Sequence, residues 1–558
     1  MKIKNLGVIL LGVVICLPAL WPFFQPKFFH LHDWTHVARL VEMDQALKDG
    51  HFPVRWSRNL GYGYGMPQFN FYAPLPYYVA ELIHLMGFSP LVSIKLLVMV
   101  NFLVSFMVMY YLAESRWGKW AGVVAGTAFI YAPYRAVDTY VRGSFGELTA
   151  ITFIAVVIFC LSRWIQKPSR EQFAWTALAV GGLILSHNLV AFLALPLLVI
   201  VAFSGVWLFQ RRLRIVILTG LMFGLGIGVA AFYAIPALRE KSATQVDVLT
   251  TGFSDYHQHF LYLRQFFQNT WGYGGSISGP EDNISFSLGL IQVVLTIIGG
   301  LSLLYFRKKT DPVSKFIIII SGAVVVISML MSTFKAQWFW DLLPIMKYVQ
   351  FPWRYLSIII VFLSLMTGAA VHWLPGKSGW YTGLVIIFII TSIIWLNMGY
   401  FRPEAYLDNN DSLYYTDPVR IQKEMSGIIP DFLPKQAEAK NVTPPLYRFT
   451  FNPSVETVRI MVDRTQEFYL NAKLSQPTTF SANIYYFPGW TMYLNGQEKP
   501  LTEISSSGMM NLSINETGEV AISGKFQETP LRAVANMVSV GSLFICGYLL
   551  IKGKNNYD

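Results

Sequence analysis

Charged residues are scarce in this sequence. Of its 558 residues only 13% are Asp, Glu, Lys or Arg, whereas 54% are hydrophobic and the mean hydropathy is +0.44. A water-soluble chain carries about 25% charged residues, so this chain has too little polar surface to cover a soluble body of its size. The composition excludes a soluble protein and predicts an integral membrane protein.

Cysteine is equally scarce. The chain has Cys16, Cys160 and Cys546, and each lies in an apolar stretch. The sequence therefore encodes neither a disulfide framework nor a thiolate metal site. We expect the parts of the chain outside the membrane to be held together by packing alone.

Long apolar stretches dominate what is present. A helix needs about 20 mostly apolar residues to cross a bilayer. The predicted fold class is an all-α polytopic membrane protein with about 12 transmembrane helices, the first of them uncleaved. A shorter stretch, 73–88, is predicted to be an interfacial or re-entrant helix. The twelve candidate spans are 5–23, 91–113, 120–134, 147–164, 173–187, 189–209, 214–236, 286–306, 316–333, 354–373, 380–399 and 531–551.

The net charge of +11 comes largely from short basic clusters between these spans. Such clusters are typical of cytoplasmic loops beside anionic lipid and not of a nucleic-acid-binding module. When Lys2 and Lys4 are placed in the cytoplasm, every later short basic loop also falls inside. We therefore expect a multi-pass protein of the plasma membrane with both termini cytoplasmic. The segments predicted outside are 24–90, 237–285, 334–353 and 400–530, with short turns at 135–146 and 186–188.

The last of these segments contains a β-rich part. Between residues 447 and 526 apolar and polar residues alternate in short runs, which is typical of half-buried strands. Asn495-Gly496 stands where a two-residue hairpin needs it. The predicted domains are a transmembrane domain at 1–399, an extracytoplasmic segment at 400–530 with a β-sandwich at 447–526, and a final helix with a cytoplasmic tail at 531–558.

Polar residues of unusual kind concentrate at the predicted outer face. Ionisable groups at one membrane face, drawn from several loops, suggest a site at that interface. A carboxylate there can act as a general base, and arginines can bind a phosphate leaving group by paired hydrogen bonds. This combination suits glycosyl transfer from a lipid-linked sugar phosphate. The main candidates are His30, His32, Asp33, His36, Asp44, Arg55, Arg58, Asp138, Arg142, Glu147, His187, Asn188 and Arg354.

Simpler roles remain open for the same residues. Asp33 could cap the helix that follows it, and His187 could cap a turn. Arg55 and Arg58 could meet lipid headgroups, and Arg354 could extend along the helix to the interface. The three histidines His30, His32 and His36 could gather a metal, although the zinc signature with an intervening glutamate is missing. No metal site is predicted, and a divalent metal is left open as a cofactor.

Several longer motifs carry a family resemblance. An early apolar helix, a long first outer loop with a carboxylate, many further helices and an outer β-domain resemble the C-type glycosyltransferases of the GT-C superfamily. Within these, the chain is similar to bacterial and archaeal membrane proteins labelled as related to 6-pyruvoyl-tetrahydropterin synthase, and more loosely to YfhO-type membrane glycosyltransferases. The motifs are HDWTHVARLVEMDQALKDGHFPVRW, YVRGSFGELTA, LSHN, QFPWRYL and YYFPGWTMYLNG. Nothing in this helical chain provides the three-histidine zinc site of the soluble synthase.

The resemblance implies roles for particular residues. Asp33 matches the first-loop carboxylate of GT-C enzymes, the general base, although it stands alone where many members carry an acidic pair; Asp44 is the second choice. Glu147 and His187 would line the same cavity, and Arg354 would face the donor phosphate. The expected site is thus catalytic residues Asp33, Glu147 and His187, with substrate-binding residues His32, Asp44, Arg55, Arg58, Arg142, Asn188 and Arg354.

The expected function is transfer of a hexosyl or pentosyl group from a polyprenyl-phosphate donor to a lipid, glycan or protein acceptor, on the extracytoplasmic face. Two other functions fit a twelve-helix chain. A transporter or lipid flippase usually shows ionisable groups at mid-membrane and repeated halves, and the sequence has neither feature. A non-catalytic envelope-assembly protein would use the β-sandwich for binding and show no transfer activity.

Overall fold

The architecture was obtained as a computed structural model. It describes residues 3–306, 308–372, 380–407, 416–427, 430–437, 443–499, 503–505 and 507–553. The chain is mostly helical, with one small β-rich part before its last helix, so the predicted fold class is confirmed. The helices are α1 (Ile3–Leu20), α2 (His36–Lys48), α3 (Gln68–Phe71), α4 (Leu75–Leu85), α5 (Pro90–Trp117), α6 (Lys119–Ile130), α7 (Pro133–Tyr140), α8 (Phe145–Gln166), α9 (Arg170–Ser186), α10 (Asn188–Phe209), α11 (Leu213–Val229), α12 (Ala231–Arg239), α13 (Leu290–Tyr305), α14 (Pro312–Ser332), α15 (Gln337–Leu342), α16 (Leu356–Val371), α17 (Trp380–Asn397) and α18 (Pro530–Ile551).

Each of the twelve predicted spans lies on a helix or helix pair. Within the described ranges, eight helical segments are long and apolar enough to cross a membrane on their own. A ninth consists of α11 and α12, which pass the same test together but meet at an angle of 74°. The remaining three, α6, α9 and α13, have 12, 17 and 16 residues and are shorter than a full span.

Helix α16 forms the centre of the bundle. All 16 of its residues are buried, and it packs against α6, α13 and α14. Glycines permit the close approach: a Cβ on Gly368 would lie 2.9 Å from the carbonyl oxygen of Ala121, and one on Gly299 would lie 3.0 Å from that of Met366. Small residues at such crossings are the usual means of tight helix packing in membranes.

The β-rich part consists of two antiparallel sheets. Their strand orders are β1-β4-β8-β7 and β2-β3-β9-β5-β6. Asn495 and Gly496 join β5 to β6 with φ values of 51° and 80°, the backbone that a two-residue hairpin requires. The strands are β1 (Phe449–Asn452), β2 (Thr457–Asp463), β3 (Glu467–Leu474), β4 (Thr478–Tyr485), β5 (Trp490–Leu494), β6 (Gln497–Lys499), β7 (Glu503–Ile504), β8 (Met509–Ile514) and β9 (Gly518–Phe526).

The long connecting segments meet the β sheets at one end of the helix bundle, hereafter the loop end. The Asp49 carboxylate accepts a hydrogen bond from Thr465 N at 2.7 Å, and Arg58 pairs with Asp463 at the same distance. Segment 237–285 joins through Gln245 N, which donates to the Leu433 carbonyl oxygen at 3.0 Å. These contacts hold the loops against the β domain.

A second junction ties the first loop to the final helix. The Glu240 carboxylate, just after α12, accepts hydrogen bonds from Asn70 Nδ2 at 2.8 Å and from Arg532 Nε at 3.0 Å. Arg532 is fully buried and lies in the first turn of α18. Three segments distant in the chain therefore converge on one carboxylate.

Candidate functional site

Glu147 is the centre of a buried polar cluster at the loop end. It lies in the first turn of α8, where the helix dipole favours a negative charge, and it is fully buried. Its Oε1 accepts hydrogen bonds from Tyr134 Oη and Ser357 Oγ, both at 2.6 Å. Its Oε2 accepts from Arg142 Nη1 at 2.7 Å. Both carboxylate oxygens are thus occupied by groups from α7, α16 and the turn before α8.

Arg142 is shared between two carboxylates. Its Nη1 also contacts Asp138 Oδ1 at 2.5 Å, and its guanidinium stacks over the Trp353 ring at 4.6 Å. Burial, followed by the charge of Glu147, raises the pKa of Asp138 well above its ordinary value. Asp138 Oδ2 is buried and forms no hydrogen bond within the described structure. Because the two carboxylates are buried close together, Asp138 keeps its proton to a higher pH than an isolated carboxylate would.

Arg354 faces the same carboxylate from the segment before α16. Its Nε lies 3.8 Å from Glu147 Oε2, too far for a hydrogen bond, and this buried nitrogen forms no other within the described residues. Its Nη1 donates to the Val349 carbonyl oxygen at 2.5 Å. The guanidinium is thus held in place by the backbone while part of its donor set stays free.

His187 completes this cluster from the α9–α10 connection. Its Nδ1 accepts a hydrogen bond from Val190 N at 3.2 Å, so it caps α10, one of the simpler roles open at the sequence level. A Cβ on Gly146 would lie 3.5 Å from its ring, which places His187 against the start of α8. Burial, together with the charges of Arg354 and Arg142, lowers the pKa of His187 to about 3, although Glu147 opposes the shift. The imidazole is therefore neutral at neutral pH.

Asp33 lies in a second cluster beside the first. Its Oδ1 accepts from Thr35 Oγ1 at 2.7 Å, and its Oδ2 accepts from Arg39 Nη1 at 2.8 Å and Tyr72 Oη at 3.2 Å. Burial alone would raise the pKa of Asp33, but the Arg39 charge and these hydrogen bonds hold it well below its usual range. The side chain is 21% exposed, so this ionised carboxylate reaches the surface of the site.

Helix α2 begins at His36, whereas a helix capped by Asp33 would begin directly after Asp33. Asp33 is therefore not the N-cap residue. Thr35 is the N-cap residue, and Asp33 accepts a hydrogen bond from its amide at 3.3 Å. His36 bonds through Nδ1 to Tyr77 Oη at 2.8 Å and through Nε2 to the Gly143 carbonyl oxygen. Its ring stacks on Phe145 at 4.4 Å. His36 thus ties the Asp33 cluster to the turn that carries Arg142 and precedes Glu147.

The first loop and this turn also pair through their main chains. His32 N donates to the Val141 carbonyl oxygen and Asp33 N to that of Arg142, both at 2.9 Å. Gly143 has φ of +66°, and a Cβ there would lie 2.6 Å from the Asp33 carbonyl oxygen. The turn from Val141 to Phe145 is therefore the common wall of the two clusters. The segment 135–146, expected to be a short turn, contains helix α7.

The other residues singled out in the sequence lie apart from Glu147. His32 is exposed and bonds through Nε2 to the Tyr273 carbonyl oxygen at 2.8 Å, and Asn188 is exposed beside His187. Asp44 pairs with Lys48 at 2.7 Å. Arg55 is buried and pairs with Glu528 at 2.7 Å, while Arg58 pairs with Asp463. The last two arginines therefore join the first loop to the β domain and the start of α18.

A divalent metal does not fit the residues present. Among the described residues, no three His, Cys, Asp or Glu side chains gather closely enough to hold one. Of the three histidines considered in the sequence, His32 bonds to Tyr273 and His36 to Tyr77, which are separate partners. The Asp33 carboxylate accepts its hydrogen bonds from Thr35, Arg39 and Tyr72. No step is assigned to a metal.

Three residues of the two clusters were not predicted from sequence: Tyr134 and Ser357, which bind Glu147, and Tyr72, which binds Asp33. Arg39, which also binds Asp33, is one of the polar residues of the first outer loop that the sequence singles out, but no role was predicted for it. Ser357 is separated from Glu147 by 210 residues, and no local pattern could have paired them.

Apolar spans and a polar site at one end of the helix bundle define a multi-pass membrane protein. A family profile described as "6-pyruvoyl-tetrahydropterin synthase related domain; membrane protein" matches residues 69–401, and the chain belongs to this family. The predicted family resemblance is thereby confirmed. An uncharacterized protein of Lactococcus lactis subsp. cremoris is 25% identical over 265 residues, which make up 45% of this chain and 43% of that protein. The chain thus spans less than half the length of this relative.

Solved structures with a similar arrangement come from mycobacterial, archaeal and bacterial proteins. The arabinofuranosyltransferase AftD from Mycobacteria has a TM-score of 0.49 and 15% identity, covering 73% of this chain and 28% of its own. The Archaeoglobus fulgidus oligosaccharyltransferase gives 0.38 and 13%, covering 78% and 57%. ArnT from Cupriavidus metallidurans bound to undecaprenyl phosphate gives 0.36 and 14%, covering 69% and 64%. All three TM-scores lie below 0.5.

Proposed function

We propose that this protein is a GT-C-type membrane glycosyltransferase that moves a hexosyl or pentosyl group from a polyprenyl-phosphate donor to an acceptor outside the cytoplasm. The observation that carries the proposal is the common wall between two clusters. On one side stands the part-exposed, ionised Asp33, and on the other stand Arg354, Arg142 and His187 around Glu147. The proposed proton acceptor and the proposed phosphate-binding groups thus stand on opposite sides of one turn.

The two carboxylates have different roles in this proposal. Glu147 is fully buried, and its oxygens are filled by Tyr134, Ser357 and Arg142, so it positions the guanidiniums and does not touch substrate. Asp33 is 21% exposed and accepts the proton of the acceptor. Because its pKa is low, it is ionised throughout the neutral range and accepts the proton late, as positive charge builds on the sugar.

The transfer step is a substitution at the anomeric carbon. The acceptor hydroxyl oxygen bonds to that carbon, the carbon–oxygen bond to the phosphate breaks, and its electron pair leaves with the phosphate. The hydroxyl proton passes to Asp33. Arg354, through the Nε that lacks a hydrogen bond, stabilises the charge on the departing phosphate, as preorganised cations do for developing anions.

The location of the site supports a lipid-linked donor. The clusters lie where helix ends meet the loops, so a polyprenyl tail would remain in the bilayer while its phosphate reaches Arg354. The basic loops at the opposite helix ends support a loop end outside the cytoplasm, where nucleotide sugars are absent. The acceptor is a lipid, a glycan or a protein.

A transfer assay tests the proposal. Membranes containing the protein receive a polyprenyl-phosphate sugar with a labelled sugar group, and label transferred to acceptor is counted. Asp33→Asn should lower the rate by about 100-fold or more, since loss of general base catalysis costs about 10²–10⁴. Asp255→Asn, an exposed acid in another loop at the same end, is the matched control and should leave it unchanged.

Three outcomes contradict the proposal or its details. Undiminished transfer by Asp33→Asn removes Asp33 as the base, and loss of transfer in Asp44→Asn instead assigns that role to Asp44. Uptake of unmodified substrate into sealed vesicles, with no transfer from any donor, identifies a transporter. Partner binding that needs residues 447–526 and is accompanied by no transfer identifies an assembly protein.

A further inference from the structure

A cleft lies at the C-terminal end of α8, whereas Glu147 lies in the first turn of the same helix. It opens between five helices, α5, α8, α10, α14 and α16, and its volume is about 550 Å³ including the part open to the outside. Its walls are apolar, with Leu112, Ile158 and Ile317 among the lining side chains. This space is a partly open, apolar groove between helices.

Two polar groups in this cleft lack partners. Arg116, in the last turn of α5, has its Nε and Nη2 buried without a hydrogen bond, and Ser321 Oγ on α14 is equally unsatisfied, counted over the described ranges. Both residues line the cleft. A buried donor without a partner costs about 1–3 kcal/mol, and more when the group is charged. These groups therefore favour a ligand that supplies acceptor oxygens beside an apolar tail.

The surroundings leave the Arg116 charge uncompensated. Asp311 is the acid whose charge acts on Arg116. Its Oδ1 is already engaged, because it caps α14 by accepting hydrogen bonds from Val313 N at 3.1 Å and from Ser314 N at 3.0 Å. The Nε and Nη2 of Arg116 form no hydrogen bond with any described carboxylate. A guanidinium in this state binds phosphate through two parallel hydrogen bonds.

We propose that this cleft binds an acidic phospholipid of the surrounding membrane. One acyl chain would lie along the apolar wall formed by α8, α14 and α16, and the phosphate would accept hydrogen bonds from Arg116. Basic pockets between transmembrane helices are known sites for acidic headgroups. The site is independent of the transfer reaction, because it lies at the opposite helix ends and uses none of the residues around Glu147 or Asp33.

Binding to the purified full-length chain tests this inference without any sugar substrate. The delipidated protein in detergent is titrated with phosphatidylglycerol, and retained lipid is counted by native mass spectrometry alongside the unfolding temperature. Phosphatidylcholine with the same acyl chains controls for the tail, and free glycerol phosphate controls for the headgroup. We expect one retained phosphatidylglycerol per chain and a rise in unfolding temperature that neither control reproduces.

Three variants locate the lipid. Arg116→Gln removes the phosphate contact, and Ile317→Trp fills the cleft while keeping Arg116; each should weaken retention by at least tenfold. Arg163→Gln is the matched control, since it removes the same charge from an exposed position on α8 outside the lining. It should retain lipid like the unaltered chain.

The proposal would be overturned if Arg116→Gln and Ile317→Trp both retained as much lipid as the unaltered chain. Equal loss in Arg163→Gln would also overturn it, because binding would then follow surface charge alone. Saturation by free glycerol phosphate would identify a soluble-anion site and exclude the lipid. If Arg116→Gln does not fold, Ile317→Trp decides the outcome alone.

Discussion

The main-chain amide of Asp33 donates a hydrogen bond to the main-chain carbonyl of Arg142 at 2.9 Å. The first loop and the turn before α8 are therefore fixed to one another at the residues that carry the two clusters. A displacement of the turn moves both the Asp33 carboxylate and the Arg142 guanidinium. The relative placement of the proposed base and the proposed phosphate-binding groups depends on this contact, together with the neighbouring bonds from His32 N to the Val141 carbonyl oxygen and from His36 Nε2 to that of Gly143.

Gly143→Ala tests that dependence. A Cβ at Gly143 would lie 2.6 Å from the Asp33 carbonyl oxygen, so the first loop must shift. Misplacement by about 1 Å costs on the order of 10²-fold in rate, and we expect a loss of that size in the transfer assay. Gly87→Ala is the control, because Gly87 also has positive φ, +99°, but open space around its Cβ. Equal effects of the two substitutions would show that backbone strain alone is responsible.

Glu147→Gln should destabilise the whole bundle. Glu147 offsets the charges of Arg142 and Arg354, and removing one partner of a buried ion pair costs about 3–5 kcal/mol. Ser357→Ala removes one hydrogen bond to the same carboxylate and should cost only about 1 kcal/mol. Unfolding in detergent measures both. Similar losses in the two variants would contradict the assignment of Glu147 as the charge that holds the cluster together.

The contribution of His36 to the stability of the protein should be lost as the pH is lowered from about 6.5 to about 4. Burial, opposed by Asp33 and assisted by the charge of Arg39, lowers the pKa of His36 from 6.5 to about 4. The unfolded chain therefore takes up a proton before the folded chain does, so stability is fully present above pH 6.5 and declines below it. His187 acts in the same direction.

His36→Gln can keep the bonds to Tyr77 and Gly143 without titrating. Between pH 6.5 and pH 4 the free energy of unfolding of this variant should fall by less than that of the unaltered chain. The difference should be on the order of 3 kcal/mol. His30→Gln, at an exposed histidine of the same loop, should follow the unaltered chain. A pH profile of His36→Gln that matches the unaltered chain would show that His36 is already protonated in the fold.

Arg55 and Arg58 should differ sharply in their contribution to stability. Arg55 is buried and holds Glu528, Asn70 and Asn536, so Arg55→Ala should cost about 3–5 kcal/mol and release the β domain to protease. The Arg58–Asp463 pair is 27% and 29% exposed, and Arg58→Ala should cost less than about 1 kcal/mol. Limited proteolysis and unfolding in urea compare them. Intact β-domain anchoring in Arg55→Ala would favour its expected role in substrate binding.

Features encoded by short stretches of sequence were predictable. Apolar length identified the spans, and Asn495-Gly496 with alternating neighbours identified a hairpin that the structure shows. The three short spans and the bend between α11 and α12 were not distinguished, because composition measures apolarity and not the length of helix that packing permits. Helix α7 was missed because its polar residues, Arg135 and Asp138, are buried inside the protein and not exposed to solvent.

The contacts of the site were predictable only in part. Asp33, Glu147, Arg142, His187 and Arg354 were identified as residue types at one face, and the structure brings the last four together. Their partners depend on tertiary packing: Arg55 meets Glu528 across 473 residues, and Glu147 meets Ser357 across 210. The sequence does not distinguish an arginine that binds substrate near the membrane surface from one that holds a domain in place.

The carboxylate of Glu240 has a consequence for biosynthesis. Its guanidinium partner Arg532 is translated 292 residues later, after the whole β domain has been translated. Until then Glu240 lacks this cation, and the end of the first loop that Asn70 joins to Glu240 lacks its final anchor. The contact therefore forms as a late event, once α18 is in place.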